Sequence, residues 1–128
     1  MALVLLDTNF LMVPEQFGVD VFSEIERIVP DYDLVTLSGI VLELKKIRET
    51  AKKGKDKLAA SVALGFVEKF HEKIKIIESI GDVDEFIVKF SLENNAIVCT
   101  NDKELKKKLR KRGVRVIQMR GKCKLEFL

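Results

Sequence analysis

Apolar residues fall along this chain in two alternating textures. Short, mostly unbroken runs are separated by longer stretches in which apolar positions recur every three or four residues. The runs are Leu3–Leu6, Leu34–Leu37, Ile74–Ile77, Ala96–Cys99 and Val114–Met119. A short apolar run that stops at polar residues reads as a strand buried on both faces. The intervening stretches read as helices. Phe10–Val13 forms a short helical turn cut off by Pro14, with Phe17 and Gly18 in a loop. Val21, Phe22, Ile25, Ile28 and Val29 line one face of a helix that ends at Pro30. Ser38 is placed to N-cap a helix burying Ile40, Val41, Leu44 and Ile47. A long helix runs from about Asp56 to Glu72, with Leu58, Val62, Leu64, Phe66, Val67 and Phe70 inward. Asp82 caps a helix whose core positions are Phe86, Ile87, Phe90 and Leu92, and Asn94-Asn95 ends it. Lys103–Arg112 is helical with Leu105 and Leu109 as its apolar pair, and Gly113 lies just past its end. Lys124–Phe127 alternates and reads as a last edge strand.

Strands that alternate with helices predict an α/β fold: one domain over residues 1–128, in three α/β/α layers. Its central sheet is mainly parallel, with about five strands, right-handed crossovers and helices on both faces. In such sheets the working crevice lies beyond the carboxyl ends of the strands. Asp7 ends the first strand there, and Asp102 follows the fourth. Glu43 lies in the early turns of the helix after the second strand, and Asp84 in the helix leading to the fourth. Taken singly, Asp102 reads equally well as a helix cap, Asp84 as a residue complementing a helix dipole, and Glu43 as a surface charge. An aspartate that directly ends a buried strand is costly unless something pairs with it. Crowded carboxylates raise one another's pKa, and a cation removes that cost. Oxygen-only ligands select Mg²⁺ or Mn²⁺ over zinc, and such ions activate water and stabilise the leaving oxygen of a phosphodiester.

The net charge of +3 indicates no partner by itself, but its distribution does. Seven of the ten residues from Lys103 to Arg112 are basic and only Glu104 opposes them. Charge runs are usually solvated helix faces. This one begins directly after Asp102, which points to a phosphate backbone as its partner. Lys103, Lys106, Lys107 and Arg110 are the expected contacts to that backbone, with Lys45 and Lys46 on an opposite wall. Few aromatics interleave with them, so base stacking is not expected. Cys99 and Cys123 form neither a metal-ligand spacing nor a disulfide framework. No membrane span and no signal peptide are recognisable, and a cytoplasmic location is the expectation. His71, the only histidine, falls late in the long helix, away from the acids.

Over essentially its whole length the chain resembles the PIN-domain nucleases. Leu5-Leu6-Asp7-Thr8-Asn9 is similar to that family's opening motif, and Val41-Leu42-Glu43-Leu44 to its second. Asp82-Val83-Asp84-Glu85-Phe86-Ile87 resembles the third and Thr100-Asn101-Asp102 the fourth. The resemblance implies metal-dependent endoribonuclease activity with Mg²⁺ or Mn²⁺. Asp7, Glu43, Asp84 and Asp102 are the implied metal-binding, catalytic acids. Thr8, Asn9 and Asn101 are implied hydrogen-bonding supports, and Asp82 shares or substitutes for Asp84. Thr100–Lys107 and the tail after Met119 resemble the branch tied to small-subunit ribosomal RNA processing, with ribosome-assembly partners. The second branch is the VapC-like toxins, paired with an antitoxin. The family also implies a homodimer.

Two other phosphate-handling folds fit less well. A receiver domain needs an acidic pair after the first strand and an acceptor aspartate after the third. Asp7 has no acidic neighbour, and the third strand runs into Glu78-Ser79-Ile80. A haloacid-dehalogenase phosphatase needs a second aspartate two residues after the first, where this chain has Asn9. The non-enzyme alternative is a catalytically silent PIN-like module that binds RNA or protein.

Overall fold

The computed structural model describes residues 1–128. Six strands form one sheet: β1 (Ala2–Leu6), β2 (Tyr32–Leu37), β3 (Ile74–Ile77), β4 (Ile97–Cys99), β5 (Val116–Arg120) and β6 (Lys124–Phe127). Their order is β3-β2-β1-β4-β5-β6. β1 to β5 are parallel, and β6 returns antiparallel to β5. The chain first builds outward from β1 to β2 and β3. It then crosses back over β1 to place β4 and β5 on the other side. The reversal lies between β1 and β4, where Leu6 pairs with Cys99. In open parallel sheets such a reversal point is where ligands bind, beyond the carboxyl ends of the strands.

Seven helices cover the sheet: α1 (Thr8–Leu11), α2 (Val13–Phe17), α3 (Val21–Ile28), α4 (Ser38–Thr50), α5 (Gly54–Lys69), α6 (Val83–Asn94) and α7 (Lys103–Lys111). α4 packs on α5 and α1, and α2 packs on α5, while α6 packs on α7. Phe22 of α3 joins Phe66 of α5 and Phe70, just past its end, in an aromatic cluster. The core is the sheet interior, with Val4, Leu5, Leu37, Ile97, Val98 and Ile117 essentially inaccessible. At the edge, Leu125 of β6 is tied to α3. Its N–H donates to Glu24 (2.9 Å) and its carbonyl accepts from Arg27 (2.7 Å). No helix is long and apolar enough to cross a membrane.

Five sequence expectations are corrected. Pro14 does not end a helix but begins one, standing in the first turn of α2, where no backbone donor is needed. Phe17 therefore closes α2 rather than lying in a loop. The inner face of α5 is built on Ala59, Ala60, Ala63 and Val67, with Leu64 and Phe66 packed partly buried against the core, while Leu58 and Val62 are exposed. Small side chains let α5 approach α4 closely. Leu92 of α6 is 40% exposed rather than core. Ser38 does not cap α4, for Leu37 holds the N-cap position.

Ser38 instead makes a reciprocal clasp. Its hydroxyl accepts from the Ser79 N–H (2.8 Å), and the Ser79 hydroxyl accepts from the Gly39 N–H (2.9 Å). The clasp joins the start of α4 to the loop before α6. It thereby ties the element carrying Glu43 to the one carrying Asp84. Gly39 makes this possible, because a β-carbon there would stand 2.9 Å from Ser79 Oγ and 3.0 Å from Val83 Cγ2. Gly39→Ala is therefore expected to destabilise the fold by ~1–3 kcal/mol in chemical denaturation. Gly65→Ala, in mid-α5 where a β-carbon meets nothing within 4 Å, is expected to stabilise it by ~0.5–1 kcal/mol.

Candidate metal centre

Asp7 follows the last residue of β1 and is 5% exposed. Its N–H donates to the Cys99 carbonyl (3.3 Å), which continues the β1–β4 ladder one residue past the strand. Beside it, Thr36 donates its buried hydroxyl to the Leu6 carbonyl (2.9 Å). The residue is thus held by both neighbouring strands. Its Oδ1 caps α1 by accepting the Phe10 N–H at 2.8 Å. Asp102, after β4, does the same for α7, with Oδ1 accepting from Leu105 N–H at 2.9 Å. Both acids are therefore helix caps. Capping uses one oxygen of each and fixes how the carboxylate is turned.

Burial drives the Asp7 carboxyl from 3.8 up to about 7, against the pull of hydrogen bonding from Thr100 and Phe10. The charges of Asp102 and Asp84 push the same way. Asp84, second residue of α6, is half-buried and also raised, first by burial and then by Asp102, Asp82 and Glu43. Lys108 is the one charge that pulls it down. These couplings place Asp7, Glu43, Asp84 and Asp102 in one electrostatic neighbourhood at the carboxyl end of the sheet. None of the four belongs to an ion pair; the two pairs in the molecule are Arg27–Glu24 and Arg120–Glu126.

The remaining expected residues divide clearly. Thr8 donates to Glu43 Oε1 at 2.7 Å, which links the start of α1 to α4. Asn101 accepts the Met119 N–H (2.8 Å) and fixes the β4–α7 turn against β5. Asn9 is exposed and shares a shallow surface hollow with Asn101. Asp82 caps α6 through the Glu85 N–H, and it is exposed. Lys45, Lys46, Lys103, Lys107 and Arg110 are exposed. Lys106 is not free: its ammonium donates to Gln118 (2.9 Å), whose amide in turn donates to Glu126.

Two residues of the site lie outside that set. Thr100 is fully buried, accepts the Asp102 N–H (3.0 Å) and stands near enough to Asp7 to favour its charged form. Its place at the end of β4, just before a strand-end acid, is the signal that could have found it. Lys108 has no comparable signal, because only the orientation of α7 separates it from its basic neighbours.

The donor set fits a hard divalent cation in chemistry. It is built of carboxylates, two of which, Asp7 and Asp84, are disfavoured as anions by burial, and it holds no internal cation. As they stand, no three acidic side chains come close enough to ligate one ion. Ligation by three at once therefore requires their side chains to turn inward.

The sign of the pH dependence follows from Asp7. With its carboxyl at about 7 in the fold and 3.8 as reference, the native state binds this proton more tightly than the unfolded chain. Ionisation therefore costs stability, a loss that builds between about pH 4 and 7 and is constant above. Asp7→Asn is expected to be more stable than the native protein at pH 8, by up to about 4 kcal/mol. In urea titrations the gap should shrink as pH falls toward 5. A gap that is pH-independent, or of opposite sign at pH 8, contradicts this.

Residues 4–122 match the family described as a PIN like domain. Ribonuclease VapC4 of Methanocaldococcus jannaschii is 36% identical over 125 residues, covering 94% of this chain and 92% of that protein. Ribonuclease VapC9 of Archaeoglobus fulgidus is 34% identical over 110 residues, 86% of this chain and 77% of that protein. The solved structure of the PIN domain endonuclease Utp24 superposes with a TM-score of 0.79 at 21% identity, covering 98% of this chain and 90% of that one. VapBC-1 from nontypeable Haemophilus influenzae superposes at 0.58 with 16% identity, covering 85% and 93%. The two structures share the fold, and the sequence matches carry the kinship. On that footing, with four acidic segments gathered at the reversal point of a parallel sheet, the chain belongs to the PIN-like domain family.

Proposed function

We propose that this protein is a metal-dependent endoribonuclease, with Asp7, Glu43, Asp84 and Asp102 as the acids that hold the ion. One observation carries the reading. A buried aspartate at the strand reversal is pushed to about 7, stands beside two further acids and has no cationic partner. Mg²⁺ or Mn²⁺ is the ion that such donors select. When bound, it supplies an activated water and charge stabilisation for the leaving oxygen. The chain's own residues do the positioning. The caps to Phe10 and Leu105 orient Asp7 and Asp102, and Thr8 orients Glu43. The buried Thr100 accepts the Asp102 N–H and so fixes the turn that carries Asp102.

For the RNA, the reading that comes first is ribosomal RNA processing. It is supported by the resemblance of Thr100–Lys107 and the following basic helix to that branch. The second reading, a toxin ribonuclease with a protein antitoxin, is favoured by the names of the two relatives above 30% identity.

Purified protein with Mn²⁺ is expected to cut labelled RNA internally, and EDTA to abolish the cutting. Asp7→Asn and Asp102→Asn should each lower the rate by more than the ~100-fold that loss of an outer ligand partner costs. Thr8→Val, which frees Glu43, should cost ~10–100-fold in apparent Mn²⁺ affinity. Tight RNA binding by the native protein with no Mn²⁺-dependent cleavage would instead identify a silent binding module.

A further inference from the structure

We propose that the groove between α6 and α7 is the track on which a single RNA strand leaves the acidic site. On this track the phosphates lie against Lys108, Lys111 and Arg112, and the bases against Val88 and Leu92. This rests on the endoribonuclease reading and adds the path and strandedness of the substrate.

The groove has a volume of about 620 Å³ and begins at Asp84 itself. It therefore shares one residue with the acidic set. Its α7 wall is wholly basic. Lys108, Lys111 and Arg112 recur at three- and four-residue spacing, so they share one side of the helix, and that side faces α6. None of the three forms an ion pair. Basic residues in a last helical turn also offset the helix dipole. That accounts for their sign but not for their gathering on the side toward α6, since Arg110 in the same last turn lines a different hollow, with Val116 and Phe127.

The α6 wall differs. Val88 and Leu92 lie at i, i+4 and form an apolar strip along the groove, with Leu92 left 40% exposed. Glu85, Lys89 and Glu93 stand beside it and carry both signs, so the phosphate-attracting surface belongs to α7 alone. A cleft with cations along one wall and an aliphatic strip along the other suits a chain that is charged on one side and flat on the other. Unpaired nucleotides have that form. In a duplex the bases are turned inward, away from any such strip. Aliphatic contact tolerates any base, so the track confers reach and orientation rather than sequence choice.

The test uses the full chain carrying Asp7→Asn, so that RNA stays intact, and a short fluorescein-labelled single-stranded RNA. Lys111→Ala with Arg112→Ala is expected to weaken binding roughly tenfold at low salt. It should also flatten the log K against log salt slope by about 1.4, two phosphate contacts at ~0.7 each. Lys52→Ala with Lys53→Ala, an equal charge loss beyond the far end of α4, should do neither. Leu92→Trp supplies the only tryptophan in the chain. Its fluorescence should be quenched along the same binding curve. The proposal is overturned if the groove pair loses no more than the Lys52, Lys53 pair, or if the indole fluorescence of the Leu92→Trp variant is unmoved at saturating RNA. It is equally overturned if polyglutamate binds and quenches as strongly as RNA, which would make the groove a site for acidic peptides. Failure of the nuclease reading would look different: groove binding intact, with no Mn²⁺-dependent cleavage by the native chain.

Discussion

A carboxylate held out of water at the end of a central strand governs this molecule. Asp7 cannot retreat from its position. Its N–H is committed to Cys99, its Oδ1 to Phe10, and the carbonyl before it to Thr36. The surrounding side chains are the apolar interior of a parallel sheet. Ionisation there opposes burial, and the neighbouring Asp102 and Asp84 increase the opposition. A protein stable enough to carry such a group gains something from it, and a divalent cation is the simplest compensation that oxygen ligands allow.

The rest of the architecture delivers the other acids to that point. The chain reverses direction across the sheet between β1 and β4, so residues 7 and 102, far apart in sequence, follow adjacent strand ends. Each is also the cap of its helix. Structure and chemistry thus use the same side chain, with one oxygen for the backbone and one beyond it. The Ser38–Ser79 clasp and the Thr8–Glu43 bond do at longer range what the caps do locally. They fix α4 against α1 and against the loop before α6. The charge balance then changes across the molecule. Acids collect at the strand ends, and the cations of α7 begin one residue later.

Much of this is legible in the residues alone. Unbroken apolar runs mark the buried strands because a parallel sheet is covered on both faces, and the polar residue ending each run marks the crevice. The acids Asp7, Glu43, Asp84 and Asp102 can be named from their place beside those strand ends and from the motif resemblance. What the pattern hides is which side of a helix meets a neighbour. Leu58 and Val62 look like core because they are large, yet α5 buries alanines, since close approach to α4 rewards small side chains. Leu92 looks like core at helical spacing, but the groove beside α7 leaves it open. Among seven basic residues the run itself cannot say that Lys106 turns to Gln118 while Lys108 lines the groove that Asp84 also lines. Pro14 reads as a stop, although the same missing N–H suits a helix start. These distinctions are tertiary, and no one-dimensional spacing contains them.

The most direct measurement is the position of Mn²⁺ in crystals soaked with that ion, located by its anomalous scattering. The account predicts an ion at the carboxyl end of the sheet, bound by Asp7 and Asp102 and by at least one of Glu43 and Asp84, with the side chains drawn inward to reach it. An ion bound elsewhere, or at this end without Asp7 among its ligands, would contradict it.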